Sequence, residues 1–511
     1  MPRPSQPPAT RLSDLARWAG EHLTPLTERL GSDPEITGVT LSTRRVRAGD
    51  LYAALPGARA HGADFADDAV AQGAVAVLTD PDGAGRVDAE VPLLVVEEPR
   101  GVLGRLSAHV YGEPAAAMTT VGVTGTQGKT TTTRLLEAAL TQTGHRAAVV
   151  GTVGTRVAGE DIATSLTTPE APDLHGLLGL MREREVALCA MEVSSHALVL
   201  GRVDGVVFDV AVFLNLGRDH LDFHADVEEY YRAKASLFTP ERCRRALVNL
   251  DDEHGRRLAG EVRALGLPLT TFSAEGRDAD WRALDLEPGP RGTSFRVRGP
   301  EDVDLRALVR LPGAFNVSNA LAALAAGVTA GVDAHDLVRG LATSEVPGRL
   351  ELAGRGEGFE VLVDYAHKPD AVEAVLTTLR AVTPGRVVVV LGAGGDRDRG
   401  KRPIMGEIAA RLADVVVVTD DNPRTEDPAT IRAAVLEGAR GVEGGAEVRE
   451  VGDRRAAVHE AVALARPGDV VLVAGKGHET GQEVDGVVHP FDDREVARQA
   501  LDGLGAAGGS L

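Results

Sequence analysis

Short apolar, β-branched runs alternate with longer amphipathic stretches along most of this chain of 511 residues. Runs such as Leu188–Glu192, Ala246–Asn249, Val387–Leu391 and Val470–Ala474 have the length and composition of strands that are buried on both faces. The stretches between such runs repeat their apolar positions with helical spacing. Strands that alternate with helices in this way are typical of parallel sheets with helical crossovers, so the sequence predicts an α/β fold.

Changes in this pattern divide the chain into three predicted domains. Residues 1–113 form a small α/β N-terminal domain, residues 114–346 a central domain with a mostly parallel sheet, and residues 347–511 a C-terminal Rossmann-like domain. Proline and glycine near 111–114 and 347–348 mark the boundaries, because these residues interrupt regular elements. Further strands are predicted at 39–41, 51–55, 75–78, 93–96, 147–150, 206–214, Glu360–Asp364 and 415–419, and helices at 65–72, 131–143 and 227–237.

A glycine-rich turn at 124–131 joins one predicted strand to a helix. Its sequence, TGTQGKTT, places Gly128, Lys129 and Thr130 at the start of that helix. Backbone N–H groups and the helix dipole bind phosphate in such a turn, the lysine can reach the β- and γ-phosphates, and the threonine can ligate Mg²⁺. The general P-loop pattern has a glycine where this chain has Val123, and an ordinary strand-to-helix turn is the simpler alternative. The turn nevertheless predicts a nucleotide-binding loop.

Polar residues follow two other predicted strands at their carboxyl ends, where open α/β sheets place their sites. Glu192 ends the run at 188–192 and His220 follows the run at 206–214, so both are candidate metal ligands beside the loop. Taken alone, Glu192 is equally well a carboxylate at a helix start, and His220 a turn residue. Lys234 lies in a predicted helix, where a solvated surface lysine is the ordinary interpretation.

The C-terminal segment carries a candidate amino-acid site. Arg424 follows an Asn-Pro turn, and its planar guanidinium can hold a carboxylate by two hydrogen bonds, which lysine cannot do. Glu479, in the run GKGHE at 475–479, offers the opposite charge for an ammonium group. A carboxylate clamp and an ammonium acceptor at neighbouring strand ends suggest that this domain binds an amino acid.

Composition and charge exclude several classes of partner. With 55 Lys and Arg residues against 75 Asp and Glu residues the net charge is −20, so nucleic acid is not an expected partner. Cys189 and Cys243 are too few for a disulfide framework and suit a reducing compartment. No apolar run approaches the ~18–20 residues that cross a membrane. We therefore expect a soluble cytoplasmic protein that does not insert into membranes, and we separately expect a monomer.

Together these motifs resemble the Mur ligase family, in the order in which that family carries them. They are the segments at 124–131, 167–170, 192–196, 215–222 with Lys234, 364–367, and 421–424 with 475–479. The resemblance runs from about residue 35 to the end and, within the family, is to the ligases that extend UDP-MurNAc-L-Ala-D-Glu. It implies a UDP-binding N-terminal domain, a central ATPase domain and a C-terminal Rossmann-like domain. It also implies an amide ligase that uses ATP to activate a carboxylate as an acyl phosphate, in peptidoglycan precursor synthesis.

The resemblance assigns roles to individual residues. The catalytic residues would be Lys129, Glu192, His220 and Lys234, and the Mg²⁺ ligands would be Thr130, Glu192, His220 and Lys234 as a carbamate. The residues around ATP would be Gly125, Thr126, Gln127, Gly128, Lys129, Thr130, Thr131, Asn316, Asn319, Arg349, Asp364 and His367. The residues facing the UDP-MurNAc-dipeptide would be Leu41, Thr43, Thr167, Thr168, Ser194 and Arg202. The residues binding diaminopimelate would be Arg397, Asp421, Asn422, Arg424, Gly475 and Glu479.

The sequence Asp-Asn-Pro-Arg at 421–424 resembles the version of the family that selects diaminopimelate. Diaminopimelate is lysine with a second carboxylate, and Arg424 would hold that group. With lysine bound, the guanidinium would lack a partner, so the sequence predicts rejection of lysine by a factor of ~10⁴ or more.

Several residues depart from the family pattern, mainly in the region expected to bind UDP-MurNAc. Gln127 stands where asparagine is usual, Ser-Thr-Arg at 42–44 replaces Asp-Ser-Arg, His61 stands where aspartate is common, and Leu200 replaces a residue that is often polar. One open alternative is a paralogous or folylpolyglutamate-synthetase-like ligase that acts on another carboxylate. The other is a P-loop ATPase that makes no bond, which would need no second glycine-rich domain with a carboxylate clamp.

Overall fold

The computed structural model describes residues 1–24, 32–164, 166–217, 219–220, 223–289 and 292–508. The chain forms two compact units. The first comprises Met1–Arg282, Val297–Asp304 and Asn319–Gly340, and the second comprises Ala283–Arg296, Leu305–Ser318 and Leu341–Leu511. Within the predicted motif at 215–222, Arg218, Leu221 and Asp222 lie outside the described residues. Across the described ranges, no helix combines the length and the apolar character that a membrane span requires.

Strands and helices are numbered in chain order. The strands are β1 (Thr10–Arg11), β2 (Glu35–Ile36), β3 (Gly38–Thr40), β4 (Asp50–Ala53), β5 (Ala74–Thr79), β6 (Leu93–Val95), β7 (Thr119–Thr124), β8 (Ala147–Gly151), β9 (Gly154–Val157), β10 (Glu160–Ile162), β11 (Leu188–Glu192), β12 (Val210–Phe213), β13 (Ala246–Asn249), β14 (Leu269–Ser273), β15 (Trp281–Gly289), β16 (Gly292–Arg298), β17 (Asp304–Val309), β18 (Glu351–Arg355), β19 (Glu360–Asp364), β20 (Val387–Leu391), β21 (Val415–Val418), β22 (Glu447–Glu450), β23 (Val470–Ala474), β24 (Gly481–Val484) and β25 (Val487–Pro490). The helices are α1 (Leu12–Ala19), α2 (Ala66–Ala71), α3 (Pro81–Ala84), α4 (Pro99–Val110), α5 (Lys129–Gln142), α6 (Ala171–Glu183), α7 (Ser195–Val199), α8 (Val227–Ala235), α9 (Glu253–Ala264), α10 (Ala314–Thr329), α11 (Ala334–Leu341), α12 (Pro369–Val382), α13 (Lys401–Leu412), α14 (Pro428–Arg440), α15 (Arg454–Leu464) and α16 (Asp493–Gly508).

The N-terminal part of the first unit is built on a parallel sheet with the strand order β3-β4-β5-β6. Successive residues of a strand face opposite sides of the sheet. Leu51 of β4 therefore joins a cluster with residues of α1 and α4, whereas its neighbour Tyr52 packs with residues of α2. Both faces are covered, which is why the strands of this sheet appear in the sequence as short, mostly apolar runs.

The rest of the first unit is organised around β7. The strand order β10-β9-β8-β11-β7-β12-β13-β14 places β7 between β11 and β12. The strands from β8 to β14 in this order are parallel, and β9 and β10 are antiparallel additions at the edge. The carboxyl ends of β8, β11, β7 and β12 consequently lie along one edge of the sheet. At this edge β11 ends with Glu192, α5 begins with Lys129 after β7, and His220 follows β12.

The second unit contains a sheet with the strand order β18-β19-β23-β20-β21-β22, in which only β18 is antiparallel to its neighbour. Val387 and Val389 of β20 face a cluster with α12, α13 and α14, whereas Val388 and Val390 face α15 and α16. Helices on both faces make this a doubly wound unit, as the sequence predicts.

The predicted α/β fold class is confirmed, and the runs at 188–192, 246–249, 360–364, 387–391 and 470–474 are strands with the predicted bounds. The predicted strand at 206–214 is wrong at both ends, because only Val210–Phe213 is a strand. Val206 donates its N–H to the carbonyl oxygen of Val203 and closes a turn, so its apolar side chain fills the core without joining the sheet. The boundaries after residues 113 and 346 stay predictions.

Candidate active site

The predicted nucleotide-binding loop follows β7 and ends at Gly128, where α5 begins. Gly128 has a φ of 86°, a left-handed conformation that favours glycine, and a Cβ there would overlap Oδ1 of Asn319. Lys129 folds back over the loop, and its Nζ donates to the carbonyl oxygens of Gly125 at 2.7 Å and Thr126 at 3.1 Å. This ammonium and the amino end of α5 form a local positive site in a chain whose net charge is −20.

The segment after β12 braces this loop. Asn215 accepts a hydrogen bond from Gln127 N at 2.9 Å through Oδ1 and donates one to Gln127 O at 3.2 Å through Nδ2. Thr126 Oγ1 accepts a hydrogen bond from Gly217 N at 2.9 Å. The sequence places Asn215 in a motif without revealing this function. Because the brace uses only the backbone of residue 127, it accommodates glutamine where the family usually has asparagine.

Lys234 is buried beside the loop, with 1% of its surface exposed. The interpretation of Lys234 as a solvated surface lysine is therefore wrong. α8 presents Tyr230 and Lys234 on one face, because residues four apart are neighbours on a helix. Lys234 Nζ donates to Gly125 O at 3.0 Å and lies 4.5 Å from the centre of the Tyr230 ring. The Tyr230 hydroxyl in turn lies 3.1 Å from Thr126 Oγ1, so both side chains contact the predicted phosphate loop.

Glu192 ends β11, the strand beside β7, and is 1% exposed. Its carboxylate accepts two hydrogen bonds from Thr152, one from N to Oε1 at 2.8 Å and one from Oγ1 to Oε2 at 3.1 Å. Thr168 Oγ1 donates to the carbonyl oxygen of Glu192 at 2.8 Å. An ionised carboxylate can accept about four hydrogen bonds, so these contacts fix its orientation and leave capacity for a metal ion.

His220 follows β12 with a φ of 54°, a left-handed conformation that is uncommon for a residue other than glycine. Its Nε2 lies 3.3 Å from Asp219 Oδ2. The imidazole contacts the His196 ring with 4.9 Å between centroids and the Tyr230 ring with 5.9 Å. The structure thus places His220 and Lys234 against the same tyrosine.

The ligand atoms of the predicted metal site differ in how well they suit Mg²⁺. Mg²⁺ prefers oxygen ligands, which the Thr130 hydroxyl and the Glu192 carboxylate provide, whereas His220 offers the less favourable nitrogen. In the ranges that the structure describes, no group of His, Cys, Asp and Glu side chains, three or more together, could hold a metal ion. The predicted set differs in type, because it combines a carboxylate and a histidine with a hydroxyl and a modified lysine.

The residues expected to face the UDP-MurNAc-dipeptide already make contacts within the protein. Thr167 Oγ1 lies 3.0 Å from Thr152 Oγ1, and Ser194 caps α7 through a hydrogen bond of 3.1 Å. The guanidinium of Arg202 lies 2.8 Å from the carboxylate of Glu170. These contacts fix the side chains around the ends of β8 and β11, and their roles toward a ligand stay predictions.

In the N-terminal sheet, Leu41 and Thr43 are partly exposed just after the carboxyl end of β3. His61, one of the departures from the family pattern, caps a short 3₁₀ helix at Gly62–Phe65. Its Nδ1 accepts a backbone N–H at 3.0 Å, so its Nε2 carries the hydrogen and donates to Asp80 Oδ1 at 3.1 Å. Aspartate is a common residue in the same capping role, which explains how histidine is accommodated at this position.

The second unit carries most of the remaining residues assigned to ATP. Asp364 ends β19, and burial raises its pKa although the positive charge of Arg349 lies nearby. The Arg349 guanidinium lies 4.8 Å from the centre of the Tyr365 ring. His367 Nδ1 donates to Tyr365 O at 2.7 Å, and burial lowers its pKa to about 4, so this imidazole is neutral at pH 7. Asn316 donates to the carbonyl oxygen four residues earlier at 2.8 Å.

Arg424 is held by the hairpin of β24 and β25. Its backbone N donates to Glu483 O at 3.0 Å, and its carbonyl oxygen accepts from Asp485 N at 2.7 Å. Its guanidinium donates to Gly395 O at 2.6 Å, and its Nε lies 3.3 Å from the Glu483 carboxylate. Arg424 thus has partners within the protein, and its role as a clamp for a ligand carboxylate stays a prediction.

Asp421 is buried after β21 and lies against Gly475. Gly475 has a φ of 119°, and a Cβ there would overlap Oδ2 of Asp421, so the close approach requires glycine. Burial would raise the pKa of Asp421, but the charges of Arg454 and Lys476 outweigh this effect and the pKa is lowered. No described residue donates a hydrogen bond to the buried Oδ2, whose nearest cation, Arg454 Nη1, is 4.0 Å away. This carboxylate retains acceptor capacity for a ligand.

Asn422 and Glu479, both expected to bind the amino acid, contact each other. Asn422 Nδ2 donates to Glu479 Oε2 at 2.9 Å. Lys476, which the sequence does not single out, is fully buried and donates to Asn422 Oδ1 at 2.8 Å and to Glu479 Oε2 at 3.2 Å. Arg397 is exposed on the loop after β20. Among the residues assigned to diaminopimelate, the structure therefore joins Asn422 to Glu479 directly.

Comparison with known families covers most of the chain. The description "Mur ligase family, catalytic domain" matches residues 35–111, "Mur ligase middle domain" matches 123–327, and "Mur ligase, glutamate ligase domain" matches 348–477. These three segments contain the N-terminal sheet, the phosphate loop and the doubly wound sheet of the second unit, respectively.

Curated relatives extend the match to nearly full length. The chain is 55% identical over 506 residues to UDP-N-acetylmuramoyl-L-alanyl-D-glutamate–2,6-diaminopimelate ligase of Streptomyces avermitilis, covering 98% of each protein. It is 50% identical over 507 residues to the protein of the same name from Corynebacterium efficiens, covering 96% of this chain and 95% of the relative.

Solved structures agree with this result. A structure of a UDP-N-acetylmuramoyl-L-alanyl-D-glutamate–2,6-diaminopimelate ligase matches with a TM-score of 0.67 and 34% identity, over 92% of this chain and 96% of that one. Folylpolyglutamate synthase of Mycobacterium tuberculosis matches with a TM-score of 0.59 over 73% of this chain and 91% of its own, and at 19% identity it shows the fold alone. This chain therefore belongs to the Mur ligase family and has its three-domain α/β fold, as the three family matches, the relatives of nearly full length and the phosphate loop show.

Proposed function

We propose that this protein is an ATP-dependent ligase that joins diaminopimelate to the D-glutamate carboxylate of UDP-MurNAc-L-Ala-D-Glu, in peptidoglycan precursor synthesis. Relatives at 55% and 50% identity carry the name of this activity. The structural observation that carries the proposal is the connection of Arg424, through Glu483 and Asn422, to the carboxylate of Glu479. Diaminopimelate has a carboxylate and an ammonium at its distal end, and these two side chains complement them.

The reaction must activate a carboxylate, which does not react with amines by itself. An oxygen of the D-glutamate carboxylate attacks the γ-phosphorus of ATP, the bond to ADP breaks, and an acyl phosphate forms. The amine of diaminopimelate then attacks the acyl carbon, phosphate leaves, and the nitrogen loses a proton as the amide forms. Catalysis of phosphoryl transfer depends mainly on positioning and charge neutralisation, which Lys129 and the amino end of α5 supply.

Thr130, Glu192 and His220 are the residues that would hold Mg²⁺ in this scheme. When bound, Mg²⁺ neutralises charge on the transferring phosphate. Glu192 is already oriented by Thr152, so binding would not require its carboxylate to be ordered anew. We expect the metal requirement to depend on this carboxylate.

Lys234 is proposed to act as a carbamate. Carbamylation adds CO₂ to a neutral amine and releases a proton, which converts a cation into an anion that can ligate Mg²⁺. Lys234 is buried and its Nζ is within hydrogen-bond distance of the phosphate loop, which is where a ligand of a phosphate-bound Mg²⁺ would lie. The unmodified ammonium is the alternative, supported by its hydrogen bond to Gly125 O and its position over Tyr230. Rescue of a variant by short carboxylates separates the two forms.

A coupled phosphate-release assay tests the proposed function. Phosphate should appear only when ATP, UDP-MurNAc-L-Ala-D-Glu and diaminopimelate are all present. A folylpolyglutamate-synthetase-like enzyme would require a different acceptor, and a P-loop ATPase that makes no bond would hydrolyse ATP without acceptor or amine. Release that does not depend on the acceptor or the amine would therefore refute the ligase assignment.

We further infer a cytoplasmic monomer with domains at 1–113, 114–346 and 347–511. The thiols of Cys189 and Cys243 are free and buried, which suits a reducing compartment. Light scattering after size exclusion should give the monomer mass of 53.4 kDa. Limited proteolysis should cut preferentially near residues 113 and 346, and a dimer mass or cleavage only elsewhere would contradict these inferences.

A further inference from the structure

Lys476 is a fully buried lysine at the edge of the proposed amino-acid pocket. A buried ammonium is costly unless anionic or polar partners compensate for the lost water. The partners of Lys476 are Asn422 Oδ1 at 2.8 Å and Glu479 Oε2 at 3.2 Å. Both belong to residues assigned to diaminopimelate, so the compensation of this charge and the shape of the pocket depend on the same contacts.

The hydrogen bonds around Lys476 leave one orientation for each partner. Asn422 Oδ1 accepts from Lys476 Nζ and from Glu483 N at 3.0 Å, while Asn422 Nδ2 donates to Glu479 Oε2 at 2.9 Å. Rotating the amide by 180° would place its NH₂ group against two donors. Within the described residues, the hydrogen bonds to the Glu479 carboxylate go to Oε2, which leaves Oε1 to receive a ligand.

We propose that Lys476 is a positioning residue for amino-acid recognition, because its ammonium fixes the Asn422 amide and directs Oε1 of Glu479 to the ammonium group of diaminopimelate. This inference rests on the proposed function. Glu479 acts directly on the ligand in this scheme, and Lys476 acts through Glu479 and Asn422.

A purely structural role would not explain why residue 476 carries a charge. Well-packed apolar residues often replace a buried ion pair without loss of stability, so folding alone does not require a lysine at this position. The second carboxylate nearby, Asp421, also interacts with the charge of Lys476. Lys476 and Arg454, which are both buried, therefore balance the acidic groups that line the pocket.

The test compares Lys476→Met with the wild type in steady-state assays that vary each substrate in turn. Methionine matches the length of the lysine stem but leaves Asn422 Oδ1 and Glu479 Oε2 without their donor. We expect KM for diaminopimelate to rise about 10- to 100-fold, with KM for ATP and for UDP-MurNAc-L-Ala-D-Glu within about twofold of wild type.

Arg386→Met is the matched control in the same unit. Arg386 pairs with the buried Asp469 at 2.7 Å at the amino end of β20, the opposite end from the pocket. Its loss should lower Tm and leave all KM values unchanged. If Lys476→Met raises no KM, or raises all of them equally, the positioning role is wrong.

Lys476→Arg decides the question if the methionine variant is insoluble. Arginine keeps the charge, but its larger planar group cannot make the same two contacts. A positioning role predicts at least about a fivefold higher KM for diaminopimelate in this variant, and an unchanged KM would overturn it. Failure of the wild type to use diaminopimelate at all would instead refute the proposed function, so the two failures are distinguishable.

Discussion

The contacts of Arg424 change the size of the substrate preference that this residue can provide. From the sequence, a guanidinium without a partner would reject lysine by a factor of ~10⁴ or more. In the structure, Arg424 contacts the carbonyl oxygen of Gly395 and the carboxylate of Glu483. It therefore keeps these partners when lysine is bound, and the penalty for lysine is limited to the lost interaction with the second carboxylate.

The preference for diaminopimelate over lysine that remains is the difference between two contributions to the free energy of binding. A hydrogen bond between charged groups contributes about 1.5–3 kcal/mol. The Arg424–Glu483 pair with which the ligand competes has side chains 22% and 38% exposed, and such pairs contribute about 0–1 kcal/mol. The difference of about 0.5–3 kcal/mol corresponds to a preference for diaminopimelate of about 2- to 150-fold in kcat/KM.

The assay measures kcat/KM for diaminopimelate and for lysine in the wild type and in Arg424→Ala. The variant should lose the factor of about 2- to 150-fold for diaminopimelate, keep its value for lysine within about threefold, and keep its KM for ATP. Arg399→Ala, which removes an exposed arginine paired with Glu426 at 3.2 Å, is the matched control and should change neither value. Glu483→Gln should lower KM for diaminopimelate about two- to fivefold, because it removes the competing carboxylate. Equal use of both amino acids by the wild type, or an undiminished preference in Arg424→Ala, would refute this reasoning.

Four other outcomes are expected. Lys129→Ala should lower kcat by a factor that corresponds to ~3 kcal/mol or more, since the transferring phosphate loses its cation; a wild-type kcat would contradict the loop assignment. Glu192→Gln can keep both hydrogen bonds to Thr152 but loses the charge, so kcat should fall about 10²- to 10³-fold and a higher Mg²⁺ concentration should be needed. Glu137→Gln, which changes another buried glutamate, is the control. Equal effects of the two substitutions would argue against Glu192 as a metal ligand. Lys234→Ala should be nearly inactive and partly restored by formate or acetate, whereas ordinary activity would exclude a carbamate. Burial lowers the pKa of His175 from 6.5 to about 4, so protonation of the unfolded chain should reduce the stability of the fold as pH falls from about 6.5 to 4. His175→Gln should lessen the fall in Tm over this pH range. A pH profile of Tm that is the same in the variant and the wild type would contradict this role of His175.

The apolar runs predict the sheets well because burial on both faces leaves a local signal. Val387–Leu391 and Val470–Ala474 are entirely buried, and their short length and β-branched residues are typical of a central strand. The run at 206–214 shows the limit of this signal. Val206 fills the core from a turn, Val207 is exposed, and Phe208 makes only an isolated bridge to Cys243, and the apolar composition of this run does not separate these cases from a strand.

The sequence predicts the site residues that lie at the ends of parallel strands. It misses the residues whose function depends on contacts with segments that are distant in the sequence. Glu192 is predictable because parallel strands bring their carboxyl ends to one edge. The burial of Lys234 depends on how α8 packs against the phosphate loop, which its local sequence does not reveal. Lys476 and Glu483 gain their importance from pairing with the segment at 421–424, more than 50 residues away in sequence.

The most direct test of the proposed ligase activity is mass analysis of the product formed from UDP-MurNAc-L-Ala-D-Glu, ATP and diaminopimelate. We expect a product heavier than the acceptor by one diaminopimelate less one water, formed with one ADP and one phosphate per amide bond. ADP formation with the acceptor mass unchanged, or a product only from another carboxylate or another amino acid, would contradict it.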